Sequence, residues 1–220
     1  MAYTLYYSPG SCSLAPHIVL EEIGVPYVLD KREPGKQTLE PEYLALNPKG
    51  RVPALLGVAG RAGGADKLLT EATAVSAYLA FAHPEAGLLP ADAAGRARVF
   101  EWTNWLTTAL HTQSYGALWR PARFTADAAL HPALVEHGRA NIRAENAAIE
   151  RILADGRDWA VSGGYSIVDP YLLVFWRWAA LIGEDVARLP AWSAHARRVL
   201  ERPAVKRALA QEGIPGVPSR

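Results

Sequence analysis

One cysteine, Cys12, is all that 220 residues contain, so no internal disulfide can form and packing with hydrogen bonds must hold the fold. Charge of one sign is missing as well. Lys and Arg number 23 against 22 Asp and Glu, a net +1, which offers no general field for nucleic acid or an anionic membrane. Long apolar runs are absent: YLLVFW at 171–176 is stopped by Arg177, far short of the roughly 20 residues that cross a bilayer. The first residues show no basic region, apolar region and small-residue cleavage site, so the expected setting is a reducing cytoplasm with neither nucleic-acid nor membrane partners. No repeat or low-complexity block appears beyond a general richness in alanine.

What is present is apolar mass in two kinds of pattern. Half the residues are hydrophobic, enough for a sizeable core in one large domain or two small ones. YTLYY (3–7) is a β-rich run ended by Pro9-Gly10, LAPHIVLEEIG carries Leu14, Ile18, Val19 and Ile23 at helical spacing before Gly24, and YVLDKR reads as a second strand. That is a βαβ unit with a parallel pair. LNPKGRVPALLGV and LLTEATAVSAYLAFA flank a Gly-rich turn at 59–67, which suggests a hairpin leading into a helix. The reading is β-α-β-α-β-β-α. From about residue 92 the strand signal stops and helical periodicity runs over 92–120, 127–154, the apolar stretch IVDPYLLVFWRWAALIG, and two shorter segments ending in PAVKRALAQEG. The units predicted are 1–83 (α/β), a linker at 84–91, and 92–220 (all-α).

Three short stretches carry chemistry. Cys12 in SPGSCSLAPHIVLEEIG sits at or just before a helix start capped by Ser11 or a neighbour, where free N–H groups and the helix dipole favour a thiolate; the plainer reading is a small buried hydrophobe. In NPKGRVPALL, Pro53 precedes a strand; were Val52-Pro53 cis, the Val52 backbone could pair with a peptide-like ligand, although most such bonds are trans. Thr70 or Glu71 in LLTEATAVSAYLA opens a helix whose N–H groups and carboxylate suit an α-amino-acid end group, or simply cap the helix.

In this order and spacing, YYSPGSCSLAPHIVLEEIGVPY, YLALNPKGRVPALL and LLTEATAVSAYLA resemble the glutathione transferases, specifically the bacterial beta class. The likeness continues through EWTNWLTTALHTQSYGALW, SGGYSIVDPYLL and RPAVKRALAQEGI, and so covers nearly the whole chain. The resemblance implies a thioredoxin-like N-terminal domain that binds glutathione as co-substrate, an all-α C-terminal domain shaping a pocket for a small hydrophobic electrophile, a homodimer, and no metal. It places Cys12 against the glutathione sulfur, the Val52 backbone beside cis Pro53 on the cysteinyl part, Glu71 and Ala72 on the γ-glutamyl end, Lys36 near the glycyl carboxylate, and Asn104 reaching toward the γ-glutamyl region. His111 would face the sulfur, and Leu110, Tyr115 and Trp119 would line the second-substrate pocket.

Two activities fit those residues: conjugation by activated glutathione, or thiol–disulfide exchange and peroxidase chemistry through Cys12 itself. A third reading is a catalytically weak protein that sequesters apolar ligands on a surface including Trp102, Trp105 and Trp119. Ser166 and Asp169 in GYSIVDPYLL resemble a capping box and read as folding elements. Arg177 needs a buried carboxylate or carbonyl partner. Thr112 stands where the beta class often has lysine, implying one positive charge fewer near the thiol. Tyr6 and Tyr7 read as core strand residues, one of which could stand near the thiol.

Overall fold

A computed structural model describes residues 2–58 and 68–218; the Gly-rich turn at 59–67 lies outside the described residues. Strands β1 (Tyr3–Tyr7), β2 (Tyr27–Lys31), β3 (Ala54–Leu56) and β4 (Leu68–Thr70) form one sheet in the order β2-β1-β3-β4. β1 runs parallel to β2 and antiparallel to β3, and β3 runs antiparallel to β4. Alternation along β1 sends Leu5 inward, where it meets Leu55 across the β3 register; both are fully buried.

Helix α1 (Leu14–Ile23) makes the crossover between the parallel strands and buries Leu14, Ile18 and Val19 before stopping at Gly24, which adopts the left-handed cap conformation. Short α2 (Pro41–Leu46) and α3 (Ala72–Ala82) complete the β-α-β-α-β-β-α order. A thioredoxin-like unit is thus followed by helices alone: α4 (Ala93–Trp105), a π-helical stretch at Leu106–Tyr115, α5 (Gly116–Trp119), α6 (His131–Leu153), α7 (Val168–Leu181), α8 (Pro190–Glu201) and α9 (Pro203–Glu212).

α7 is the centre of the helical half, with every residue from Val168 to Ala179 buried. Its start is fixed by Asp169, whose carboxylate accepts from Ser166 N at 2.7 Å and Ala160 N at 2.9 Å and lies 2.7 Å from His195 Nε2. Ser166 Oγ in turn accepts from Val168 N. The capping box is present, extended by two tertiary partners. Arg177 donates to the carbonyls of Pro215 and Gly216, at 2.8 and 3.1 Å. Carbonyl oxygens satisfy this buried guanidinium.

The widened turn is the main departure from the helical periodicity, which predicted one regular helix over 92–120. Within it Gly116 N donates to His111 O, five residues back, while Thr112 Oγ1 and Ser114 Oγ donate to the carbonyls of Thr107 and Ala109. Side-chain hydroxyls thus serve carbonyls of the widened turn. Such segments often occur at functional sites.

Candidate active site

Cys12 sits in the turn between β1 and α1, one residue ahead of Ser13, which occupies the cap position. The sequence expected a cap from Ser11 or a neighbour; the cap position falls to Ser13, which makes no side-chain cap bond, while the Ser11 carbonyl accepts from Leu14 N and its hydroxyl accepts from Ser13 N at 3.2 Å. Ser13 Oγ is taken by Ser8 and Ser11, so the serines tie the turn to itself. Gly10, with φ +69°, is held on both sides: its N–H donates to Glu212 Oε2 at 2.7 Å, and its carbonyl accepts from Trp178 Nε1 at 2.8 Å. The turn carrying Cys12 is therefore anchored by both α9 and α7.

The thiolate expected at the helix start is overruled by burial. Cys12 is 9% exposed, and desolvation pushes its thiol up to about 12; a local backbone hydrogen bond and the Arg120 charge oppose the rise, and Glu71 adds to it. The protonated Sγ lies 3.8 Å from Val52 O as a donor. The Val52-Pro53 bond is cis, as the resemblance implied.

Glu71 precedes α3 with φ +74°, an uncommon conformation for a side chain of its size. Its Oε1 accepts from Lys49 Nζ at 2.6 Å, and the same ammonium donates to Thr70 Oγ1 at 2.8 Å. Ala72 is the first residue of α3, where a backbone N–H lacks an intrahelical acceptor. Lys36, by contrast, is exposed and pairs with Glu33 at 2.7 Å. Asn104 is exposed on α4, with its carbonyl accepting from Thr108.

The π-helical stretch carries His111 to the buried face of α7. His111 Nδ1 lies 3.3 Å from Tyr171 Oη, which is also 3.4 Å from Thr107 Oγ1; among the described residues Nε2 has no partner. Burial is the largest influence lowering the His111 ring to about 4, reinforced by the charges of Arg120, Arg123 and Arg51 and opposed by Glu71. Tyr171 is raised, first by burial and next by Cys12, which places the phenol and the thiol in one electrostatic neighbourhood.

Aromatic rings pack edge-to-face or tilted from this point outward. His111 and Trp178 are 5.1 Å apart, Trp178 and Trp119 4.8 Å, and Trp119 and Tyr115 4.8 Å. Leu110 and Tyr115, assigned to the pocket lining by resemblance, are 0% and 1% exposed because both pack into the core; Trp119 is 43% exposed. Tyr6 packs on Tyr43 and under Arg32, and so belongs to a different cluster.

Sequence reasoning missed Tyr171, Lys49 and the three arginines. Tyr171 lies two residues past Asp169 in a run that reads only as buried helix, and the charges of Arg51, Arg120 and Arg123 bear on His111 only after folding. Thr112 offers its hydroxyl to the helix backbone, while Arg120 places a positive charge where it acts on Cys12. Among the described residues no group of three or more His, Cys, Asp or Glu could hold a metal ion, and no helix is long and apolar enough to cross a membrane.

The family model described as "Glutathione S-transferase, N-terminal domain" matches residues 1–81. The chain is 35% identical over 213 residues to glutathione S-transferase GstA of Escherichia coli O157:H7, covering 96% of this chain and 98% of that one. Among solved structures, a sphingomonad glutathione S-transferase complexed with glutathione is 34% identical with a TM-score of 0.75, covering 96% of this chain and 100% of that one. A bacterial beta class glutathione S-transferase of Sphingomonas chungbukensis is 30% identical with a TM-score of 0.80 and the same two coverages.

Proposed function

The chain belongs to the glutathione S-transferase family, and from that premise we propose that it conjugates the glutathione thiol to small hydrophobic electrophiles. The observation that carries this reading is a protonated Cys12 with its Sγ 3.8 Å from the Val52 carbonyl, in one electrostatic neighbourhood with Tyr171, which lies 3.3 Å from His111. A thiol held near 12 is a poor nucleophile at neutral pH and keeps its proton, leaving a weak S–H donor. Glutathione itself then supplies the attacking sulfur, and Cys12 Sγ–H stabilises its thiolate.

In this mechanism the Val52 backbone holds the cysteinyl part beside Pro53, and Glu71 with the Ala72 N–H takes the γ-glutamyl amino and carboxylate groups. Asn104 adds a polar contact there, and Lys36 leaves Glu33 for the glycyl carboxylate. His111, neutral at pH 7, accepts a hydrogen bond from the Tyr171 hydroxyl at Nδ1 and presents Nε2–H to the sulfur. Donors of this kind, with the Arg120 charge, lower the bound thiol by roughly 2 pKa units, worth about 2.7 kcal/mol. The thiol proton leaves to solvent, the C–S bond forms, and the leaving group departs with its electron pair. The electrophile lies against Trp119, with Tyr115 and Leu110 behind it.

The reading places glutathione binding in 1–83 and the second substrate largely in 92–220, joined at 84–91, in a cytoplasmic homodimer acting in detoxification. Its test is thiolate absorbance of bound glutathione against pH. We expect saturable binding and an apparent pKa roughly 2 units below free glutathione, largely retained in Cys12→Ala. No saturable binding, or a bound thiol no more acidic than the free one, would sink it.

A further inference from the structure

Lys49 Nζ donates to Glu71 Oε1 at 2.6 Å and to Thr70 Oγ1 at 2.8 Å, so an ammonium already occupies the carboxylate that is to receive the glutathione amino group. Both partners are about half exposed, and a ligand can reach them. Glu71 Oε2, the other oxygen of that carboxylate, has no partner among the described residues.

Each charge stands on a fixed segment of backbone. Lys49 lies in the turn between α2 and β3, where its N–H donates to Asn47 Oδ1 at 3.2 Å and Gly50 N donates to Asn47 O at 2.9 Å. The buried Asn47 amide and the buried Tyr43 hydroxyl both donate to Arg51 O, each at 2.7 Å, and the chain then enters Val52 and cis Pro53. On the other side Thr70 pairs with Ala54 in the β3–β4 register, and the Glu71 carbonyl accepts from Val75 N at 2.9 Å as α3 begins. The ion pair is thus tied to the strand that follows Val52, whose carbonyl meets Cys12 Sγ.

A simple amine brought to Glu71 would be repelled by the Lys49 ammonium beside it. The γ-glutamyl head of glutathione carries a carboxylate on the same carbon as its ammonium, and such a zwitterion can exchange partners with the pair. We propose that Lys49 is a glutathione-binding residue that takes the γ-glutamyl α-carboxylate, together with the Ala72 N–H, while Glu71 takes the ammonium. Four charges of alternating sign then replace two, and Thr70 Oγ1 keeps the lysine in place. The site accordingly selects a zwitterionic head over a plain amine or a plain acid. This rests on the transferase reading and deepens it.

Three tripeptides test the assignment by titration calorimetry, or by competition with glutathione where binding is weak: glutathione, its decarboxylated analogue 4-aminobutyryl-cysteinyl-glycine, and its deaminated analogue glutaryl-cysteinyl-glycine. All keep the thiol and the glycyl carboxylate. K49Q is expected to weaken glutathione and the glutaryl analogue by about tenfold, with the 4-aminobutyryl analogue unchanged or tighter, and K49R to retain most of the affinity. Melting temperature should stay near the parental value, because an exposed pair contributes little to folding. Equal weakening of glutathione and the 4-aminobutyryl analogue would make Lys49 a support for Glu71 or a partner of the glycyl end. Tighter glutathione binding in K49Q would make it a competitor for Glu71, and unchanged binding would leave it without a role; each of these results overturns the proposal. If the parent protein itself fails to bind glutathione, the transferase reading falls and takes this inference with it.

Discussion

At Cys12 two opposing influences act on one sulfur, and their sizes decide its chemistry. The turn ahead of α1 and the Arg120 charge favour a thiolate, but near-complete burial outweighs them and leaves the thiol near 12. Attack by Cys12 on a disulfide is accordingly slow at neutral pH. Intact mass after treatment with oxidised glutathione should show little adduct at pH 7 and faster adduct formation as pH rises beyond 9; rapid modification at pH 7 would favour the exchange chemistry instead. His111 has the reverse dependence. Its folded value near 4 lies below the unfolded value of about 6.5. The stability of the neutral ring is thus complete above pH 6.5 and is lost as pH falls toward 4. Allowing for partial exposure, the loss amounts to about 2 kcal/mol. Urea unfolding of His111→Asn should show a correspondingly shallower loss across that window, and a curve parallel to the parent would contradict it.

Elements succeed here by approaching one another closely. α6 packs against the π-helical stretch and α5 at Gly138. A Cβ on Gly138 would lie 2.8 Å from Ser114 O and 2.9 Å from Leu118 N, both backbone atoms that cannot rotate away. Gly138→Ala must therefore move α6 or the stretch that carries His111. The expected cost is about 1–3 kcal/mol, together with a fall in kcat for conjugation larger than any change in KM for glutathione. Denaturant melts and steady-state kinetics check both, and a variant of parental stability would show that α6 shifts freely. The widened turn has a related logic. Thr112 and Ser114 each bond a carbonyl five residues back, so hydroxyls that are mediocre helix formers elsewhere are useful here.

Across the whole molecule, the C-terminal helix reaches back to the residues around the thiol. Glu212 is fully buried at its side chain, with Oε1 2.9 Å from His17 Nδ1 and Oε2 accepting from Gly10 N at 2.7 Å. His17 Nε2 and the Tyr27 hydroxyl both reach Gln211, so β2, α1 and α9 share one polar cluster. Removing the carboxylate orphans two buried groups at once. Glu212→Ala should lose about 3 kcal/mol and lower conjugation, while Glu212→Gln, which keeps an acceptor for Gly10 N, should recover much of the activity. Thermal melts and kcat/KM of the pair test this; equal loss of activity in both variants would argue against the Gly10 bond as the link.

The alternating YTLYY strand, the periodic α1 and the Gly24 stop make the βαβ unit legible in the sequence, because side-chain period and turn chemistry are local properties. The order of SPGSC, NPKGRVPALL and LLTEAT likewise marked Cys12, Val52, Pro53 and Glu71 as a set through their family resemblance. Local pattern could not reveal the π-helical turn, which depends on where hydroxyls find carbonyls and how closely α6 approaches. Nor could it reveal the protonation of Cys12, the neutrality of His111 or the role of Tyr171. Desolvation and charge act through space, and the distances that govern them exist only once sheet, α7 and α9 have packed around the turn at Gly10.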